Sequence, residues 1–187
     1  RVGVAGKSAV DLGRDMVTHF GSLNRMFSSS LSEFSKVNGL GPATFAQLQA
    51  VLELARRALG EELKAGITLS SPQTVQHYLQ LLLGSKSYES FVVLFLDVKN
   101  RLIASEELFR GTLTHASVYP REVVKAALSR NAASIILAHN HPSGSPQPSS
   151  ADHTLTQTLK QALGLVDIRI LDHFVVAGHQ VYSFAQQ

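Results

Sequence analysis

The string that most narrows what this chain can fold into is a short buried-looking strand that ends on two histidines. Ala133 to Ala138, centred on Ile135-Ile136-Leu137, runs directly into His139-Asn140-His141-Pro142. Residues i and i+2 of an extended chain project to the same side, so the imidazoles of His139 and His141 can share one metal ion. A loop of Pro, Ser and Gly covers 142–150, and a helix is predicted over Ala151–Leu163, with Asp152 in its first turn. The loop can fold that carboxylate back towards the strand end. Two histidines and one carboxylate leave a fourth position for water, which is how catalytic zinc sites are built. A structural zinc site is usually closed by four protein ligands, so the pattern argues for chemistry rather than scaffolding.

A metal-activated water also needs a general base beside it. Glu106 and Glu107 are the candidates, set inside an otherwise apolar strand between Ile103 and Leu108-Phe109. Adjacent strand residues point to opposite faces, so only one of the two can look into the site. Ser149 suits two roles at once, a hydrogen bond to a developing oxyanion and the N-cap of the helix that follows. Asp172-His173 invites a supporting role, since metal-bound histidines often donate to a carboxylate. His19, His77, His115, His153 and His179 read as ordinary surface or core residues.

The rest of the chain divides into two styles. Residues 1–60 read as short helices, the last of them placing Phe45, Leu48, Leu52, Ala55 and Leu59 on one face and ending near Gly60. The stretch 61–71 reads as a linker, and a helix follows from about Gln73 to Leu83. Beyond it the period changes. Strands are predicted at Phe91–Leu96, Leu102–Phe109, Ala133–Ala138, Ile168–Val176 and Val181–Phe184, with a helix at Pro120–Arg130. Strands that alternate with helices, some joined by hairpins, predict a mixed α/β sheet flanked by helices. The expected division is a helical domain over 1–65 and a metal-site domain over 66–187.

Composition excludes several alternatives. The chain has no cysteine, which removes disulfides, cysteine zinc sites and thiol catalysis together, and makes the cytoplasm the simplest location. No apolar run is long enough to span a bilayer, so no membrane partner is expected. The net charge of +3 over 187 residues describes no polybasic arm. Charge therefore does not demand nucleic-acid binding, which would rest on a few placed contacts. The best place for them is Val37-Asn38-Gly39-Leu40-Gly41-Pro42, between two helices. Such a hairpin offers backbone N–H groups to a phosphate, with Gly39 and Gly41 permitting close approach and Lys36 adding charge.

With these residues in view, the chain resembles the RadC family of bacterial proteins, whose C-terminal domain belongs to the JAMM (MPN-type) metalloprotease superfamily. The superfamily motif, H-x-H-P, six residues, then S-x-x-D, matches without a gap as His139-Asn140-His141-Pro142, 143–148 and Ser149-Ser150-Ala151-Asp152. Phe109-Arg110-Gly111-Thr112, Pro120-Arg121-Glu122 and Leu171-Asp172-His173 add RadC character over 72–187. Gly6-Lys7-Ser8 and the hairpin at 37–42 extend the likeness to the N-terminal part, although the usual RadC start is missing and the chain opens at Arg1. The resemblance implies a cytidine-deaminase-like α/β fold and one Zn2+ per chain on His139, His141 and Asp152. It implies Glu106 as acid/base, Ser149 as stabiliser of the tetrahedral intermediate, and hydrolysis of an amide or isopeptide bond in a peptide or protein. The alternative it leaves open is a DNA-repair-associated DNA-binding protein or a metal-dependent nuclease. The letters His139-Asn140-His141 do not argue for that nuclease, since HNH nucleases spread those residues over a ββα unit.

Overall fold

The computed structural model describes residues 6, 8–65, 72–111 and 118–186. Lys7, most of the expected linker, Thr112 and His115 lie outside them. The chain forms two compact units, Arg1–Ala55 and Arg56–Gln187.

The first unit is helical: α1 (Ala9–Phe20), α2 (Leu23–Ser28), α3 (Leu31–Phe34) and the first half of α4 (Pro42–Ala65). Serines start the three short helices. Ser8, Ser22 and Ser30 each accept a hydrogen bond from the N3 backbone N–H, and Asp11 and Glu33 complete reciprocal capping boxes. Short helices cannot hold themselves in water, so packing must supply the rest. Here Leu12, Phe20, Met26, Phe34 and Leu40 are buried together, with Phe45 and Leu48 against them.

Helix α4 does not stop at Gly60 but continues to Ala65, so the expected linker over 61–71 is helical at its start. A mid-helix glycine costs about 1 kcal/mol relative to alanine. Burial of Leu63, with Leu59 packed beside it, outweighs that cost.

The second unit is built on one five-stranded sheet: β1 (Ser90–Leu96), β2 (Leu102–Arg110), β3 (Ser134–Asn140), β4 (Arg169–Ala177) and β5 (Gln180–Ser183), in the order β2-β1-β3-β4-β5. Only β3 and β4 run parallel; the other neighbours are antiparallel, as a mixed sheet with two hairpins requires. Helix α5 (Pro72–Leu83) covers one face, where Val75, Leu79 and Leu83 meet Val92, Leu94, Ile136, Ala138 and Phe174. Helices α6 (Pro120–Ser129) and α7 (Ser150–Gly164) cover the other, where Val123, Ala127, Leu159 and Leu163 meet Phe91, Val93, Phe95, Ile135 and Leu137. The central strands are buried on both faces, which is why they read as continuous apolar runs. No helix among the described residues is long and apolar enough to cross a membrane.

Candidate metal centre

The centre forms where strand alternation and helix start meet. Ile135 and Leu137 point to the α6–α7 face, so two residues further on His139 does too. There it is 2% exposed and stacks on Phe91, its partner across β1, at 6.3 Å between ring centroids. Asp152 reaches the same place from the third position of α7. Its backbone N–H donates to the Ser149 Oγ, and its Oδ2 accepts from the Ser149 backbone N–H at 2.7 Å. This capping box orients the carboxylate as well as starting the helix.

The ligand atoms of His139, His141 and Asp152 all lie within 4.8 Å of one another. His139 Nε2 stands 3.0 Å from His141 Nε2 and 3.2 Å from Asp152 Oδ1, and His141 Nε2 is 3.5 Å from Asp152 Oδ2. The far sides of the rings show what these atoms carry. His141 Nδ1 lies 2.9 Å from the Ser145 carbonyl oxygen, which can only accept, so Nδ1 holds a proton. His139 Nδ1 lies 2.9 Å from Nε2 of His173, and His173 Nδ1 lies 2.7 Å from the Thr156 hydroxyl. Thr156 Oγ1 in turn donates to the Asp152 backbone carbonyl at 2.6 Å. A hydroxyl has one hydrogen, so Thr156 accepts from His173, His173 Nε2 accepts from His139 Nδ1–H, and His139 Nε2 is left facing the cluster.

Two imidazole Nε2 atoms therefore converge on one carboxylate with their other nitrogens already donating. Such a set needs a positive charge between its members, either a proton on an imidazole or a metal ion. The electrostatics agree. Burial pushes the Asp152 carboxyl up, but its contacts with His139, His141 and Ser149 outweigh that and hold the group well below the usual carboxylate range. The bond to Asp152 raises the His141 imidazole above its ordinary 6.5 against the opposing effect of burial, and the charges of Asp152 and Glu89 add to the rise. Burial drives His173 well below the same value, so it is neutral. Two nitrogens and an oxygen, three protein donors rather than the four that close a structural site, match the donor set of a catalytic zinc site, and the residues present fit that ion.

The structure does not bring Glu106 to this cluster. It lies on the correct face but too far down the sheet. Phe109 is the β2 residue opposite Phe91, level with His139, whereas Glu106 is opposite Val93. There it accepts from Arg130 Nε at 2.8 Å, and Arg130 also packs over the Phe95 ring. Glu107 points to the opposite face and pairs with Lys86. Sequence reasoning missed the carboxylate that does approach. The antiparallel register that pairs Phe91 with His139, carried two residues further, sets Glu89 across from His141. Glu89 is also a charge that acts on that imidazole. A glutamate just before the apolar run of β1 was the available signal, but its value depends on a strand pairing that local pattern cannot give.

Of the other expected residues, His173 backs His139 as described, while Asp172 does not touch a histidine side chain. Asp172 accepts from Ser183 Oγ at 2.6 Å and from Ala185 N at 3.0 Å, tying down the end of β5. Thr156, one helical turn after Asp152, could have been found from the i, i+4 spacing. In the first unit, Gly39 takes a φ of +89° in the turn between α3 and α4, a conformation suited to glycine, and Lys36 is exposed there. No steric demand of that kind falls on Gly41.

A mixed α/β sheet with a His-His-Asp cluster at the end of a central strand defines the class of domain. The sequence relationships agree with it. Residues 69–187 match the RadC-like JAB domain, and residues 1–46 match the UPF0758 N-terminal family. A UPF0758 protein of Herminiimonas arsenicoxydans is 76% identical over 187 residues, covering 100% of this chain and 84% of the relative. A UPF0758 protein of Nitrosomonas eutropha is 62% identical over the same span, again covering 100% of this chain and 84% of the relative. The chain belongs to the RadC/UPF0758 family and carries its JAB domain.

Proposed function

We propose that this chain is a zinc-dependent metallohydrolase of JAMM type that cleaves an amide or isopeptide bond in a peptide or protein. The observation that carries the reading is the convergence of the His139 and His141 Nε2 atoms on Asp152 while both Nδ1 atoms are engaged behind them. His139, His141 and Asp152 would hold the ion. Bound there, zinc supplies a water with a pKa of about 7 and a Lewis acid for the carbonyl.

The chain's own residues supply the rest. Glu89, across from His141, takes the proton of the attacking water and returns it to the leaving amine. The Ser149 hydroxyl donates to Asp152 Oδ2 at 2.7 Å, and turned from it can donate to the developing oxyanion. His173 and Thr156 hold the His139 ring with Nε2 facing inward. The partner at this centre is an extended peptide segment. For the helical unit we propose that the Gly39 turn and Lys36 contact a nucleic-acid phosphate; a DNA gel shift that does not weaken with added salt, or with Lys36→Ala, counts against it.

The deciding experiment compares Glu89→Gln with Glu106→Gln on the full chain, with zinc content and cleavage of peptide, isopeptide and DNA substrates measured together. Glu89→Gln is expected to keep about one zinc per chain and to lose turnover by about a hundredfold or more. Glu106→Gln is expected to keep both. Cleavage of DNA alone, lost in His139→Ala, would replace the peptidase reading with the nuclease one.

A further inference from the structure

Asn140 stands between the two candidate ligand histidines in sequence, yet strand alternation sends its side chain to the opposite face of the sheet. There it is 2% exposed, and its carboxamide is fully engaged. Asn140 Oδ1 accepts from the backbone N–H of Ser90 at 2.8 Å. Asn140 Nδ2 donates to the Tyr88 carbonyl at 2.9 Å and to the Lys86 carbonyl at 3.3 Å. The acceptor and donor ends are fixed by these partners, since a backbone N–H needs an acceptor and a carbonyl needs a donor. The residues held, 88 and 90, flank Glu89. The Glu89 carbonyl is itself held by the Gly111 N–H at 2.8 Å.

We infer that Asn140 is a positioning residue: its carboxamide clamps the backbone on either side of Glu89 and so fixes where that carboxylate stands relative to His141. The inference rests on reading Glu89 as the acid/base of the metal centre. Its physical basis is that a side chain is aimed only as well as the backbone that carries it. Glu89 lies just before β1 begins at Ser90, where the ladder to β3 has already ended at Phe91 and the β2 side holds residue 89 through one bond from Gly111. A planar amide with one acceptor and two donors can bridge that end. An aspartate in its place keeps the acceptor for Ser90 and loses both donors. A serine is too short to span the gap. Because the clamp sits on the face away from the ligands, it can be loosened without removing a ligand atom.

The test uses the full chain with Asn140→Asp, Asn140→Ser and Glu89→Gln, loaded with zinc alone or with cobalt(II), which suits the same nitrogen and oxygen donors and has a visible spectrum. Three quantities are read: metal per chain, hydrogen exchange over residues 84–92, and the pH dependence of the cobalt(II) absorption. Serine is included because a buried aspartate can unfold the chain for reasons of charge alone. Both Asn140 variants are expected to keep about one metal per chain. Their exchange over 84–92 should rise about tenfold or more, with β4 and α7 unchanged. Their cobalt(II) pH profile should move in the same direction as that of Glu89→Gln. If Asn140→Ser loses the metal, Asn140 acts on the ligands and the inference is overturned. A wild-type pH profile in both Asn140 variants, beside a shifted one in Glu89→Gln, also overturns it while leaving the acid/base reading intact. A Glu89→Gln profile that matches wild type removes Glu89 from the centre, and the inference with it.

Discussion

The two faces of the sheet at the joined ends of β1 and β3 use alternate residues of the same strands and end in opposite electrostatic conditions. On the α5 side, Asn140, Ser90, Lys86 and Glu107 satisfy one another: Lys86 Nζ donates to Ser90 Oγ at 3.0 Å and pairs with Glu107, and Asn140 closes the backbone. On the α7 side, His139, His141 and Asp152 converge, with the Glu89 charge acting on His141, and no arrangement of their own protons satisfies them all unless an extra positive charge is present. A cluster that closes on itself needs no ligand, whereas one that leaves lone pairs facing each other calls for a positive charge, carried by a proton or by a metal ion. Buried polar groups cost stability unless paired, so the second arrangement persists only where something offsets that cost.

The largest expected effect that can break this contrast is at the ligands. His141→Ala should abolish stoichiometric zinc by elemental mass spectrometry and leave a folded chain by circular dichroism. A variant that kept its zinc would mean that the convergent face needs no ion there.

The next effect lies behind His139. His173→Phe keeps the ring volume and removes the hydrogen bond to His139 Nδ1, and is expected to weaken zinc about 10- to 100-fold in a competition titration. Unchanged affinity would show that the ring orientation is set by packing against Phe91 alone.

A pH titration of zinc affinity sharpens the comparison further. Zinc binds the neutral imidazole, and His141 in the metal-free chain holds its proton to a pH above the ordinary 6.5. Apparent affinity should therefore keep rising with pH through and beyond 6.5, by up to about tenfold per pH unit for one competing proton. The same shift means that metal-free stability from His141 is present below 6.5 and is lost as pH rises through its folded-state value. A flat affinity above pH 6.5 would contradict the Asp152–His141 bond.

The smallest effect belongs to the satisfied face. Glu107→Gln should cost about 1 kcal/mol or less in urea unfolding, because the Lys86–Glu107 pair is partly open to solvent, and should leave zinc content unchanged. Loss of zinc in that variant would mean the two faces are not independent.

The sequence carried much of the second unit. The apolar runs of β1 and β3, the amphipathic α6 and the capped start of α7 are local signals, and local physics makes them. His139, His141 and Asp152 were legible for the same reason, since strand period and the first turn of a helix set all three. Ser149 was legible as a cap, and its bond to Asp152 follows from the capping box. Gly60 misled because glycine is a weak helix breaker, and burial of Leu63 decided that α4 should continue. Glu106 misled for a different reason. The pairing of β1 and β2 shifts register between Phe91 and Val92, and that shift sets which glutamate stands at which height of the sheet.

What the sequence determined by itself was the kind of centre: two imidazoles on one side of a strand, a carboxylate at a helix start, and no thiol to compete. The tertiary structure alone decided which remaining groups stand near it. Whether Glu89 or Glu106 faces His141, whether His173 or Asp172 backs His139, and where Asn140 spends its hydrogen bonds all depend on contacts between residues far apart in the chain. Periodicity tells which face a side chain takes, but only the register between strands tells what it meets there.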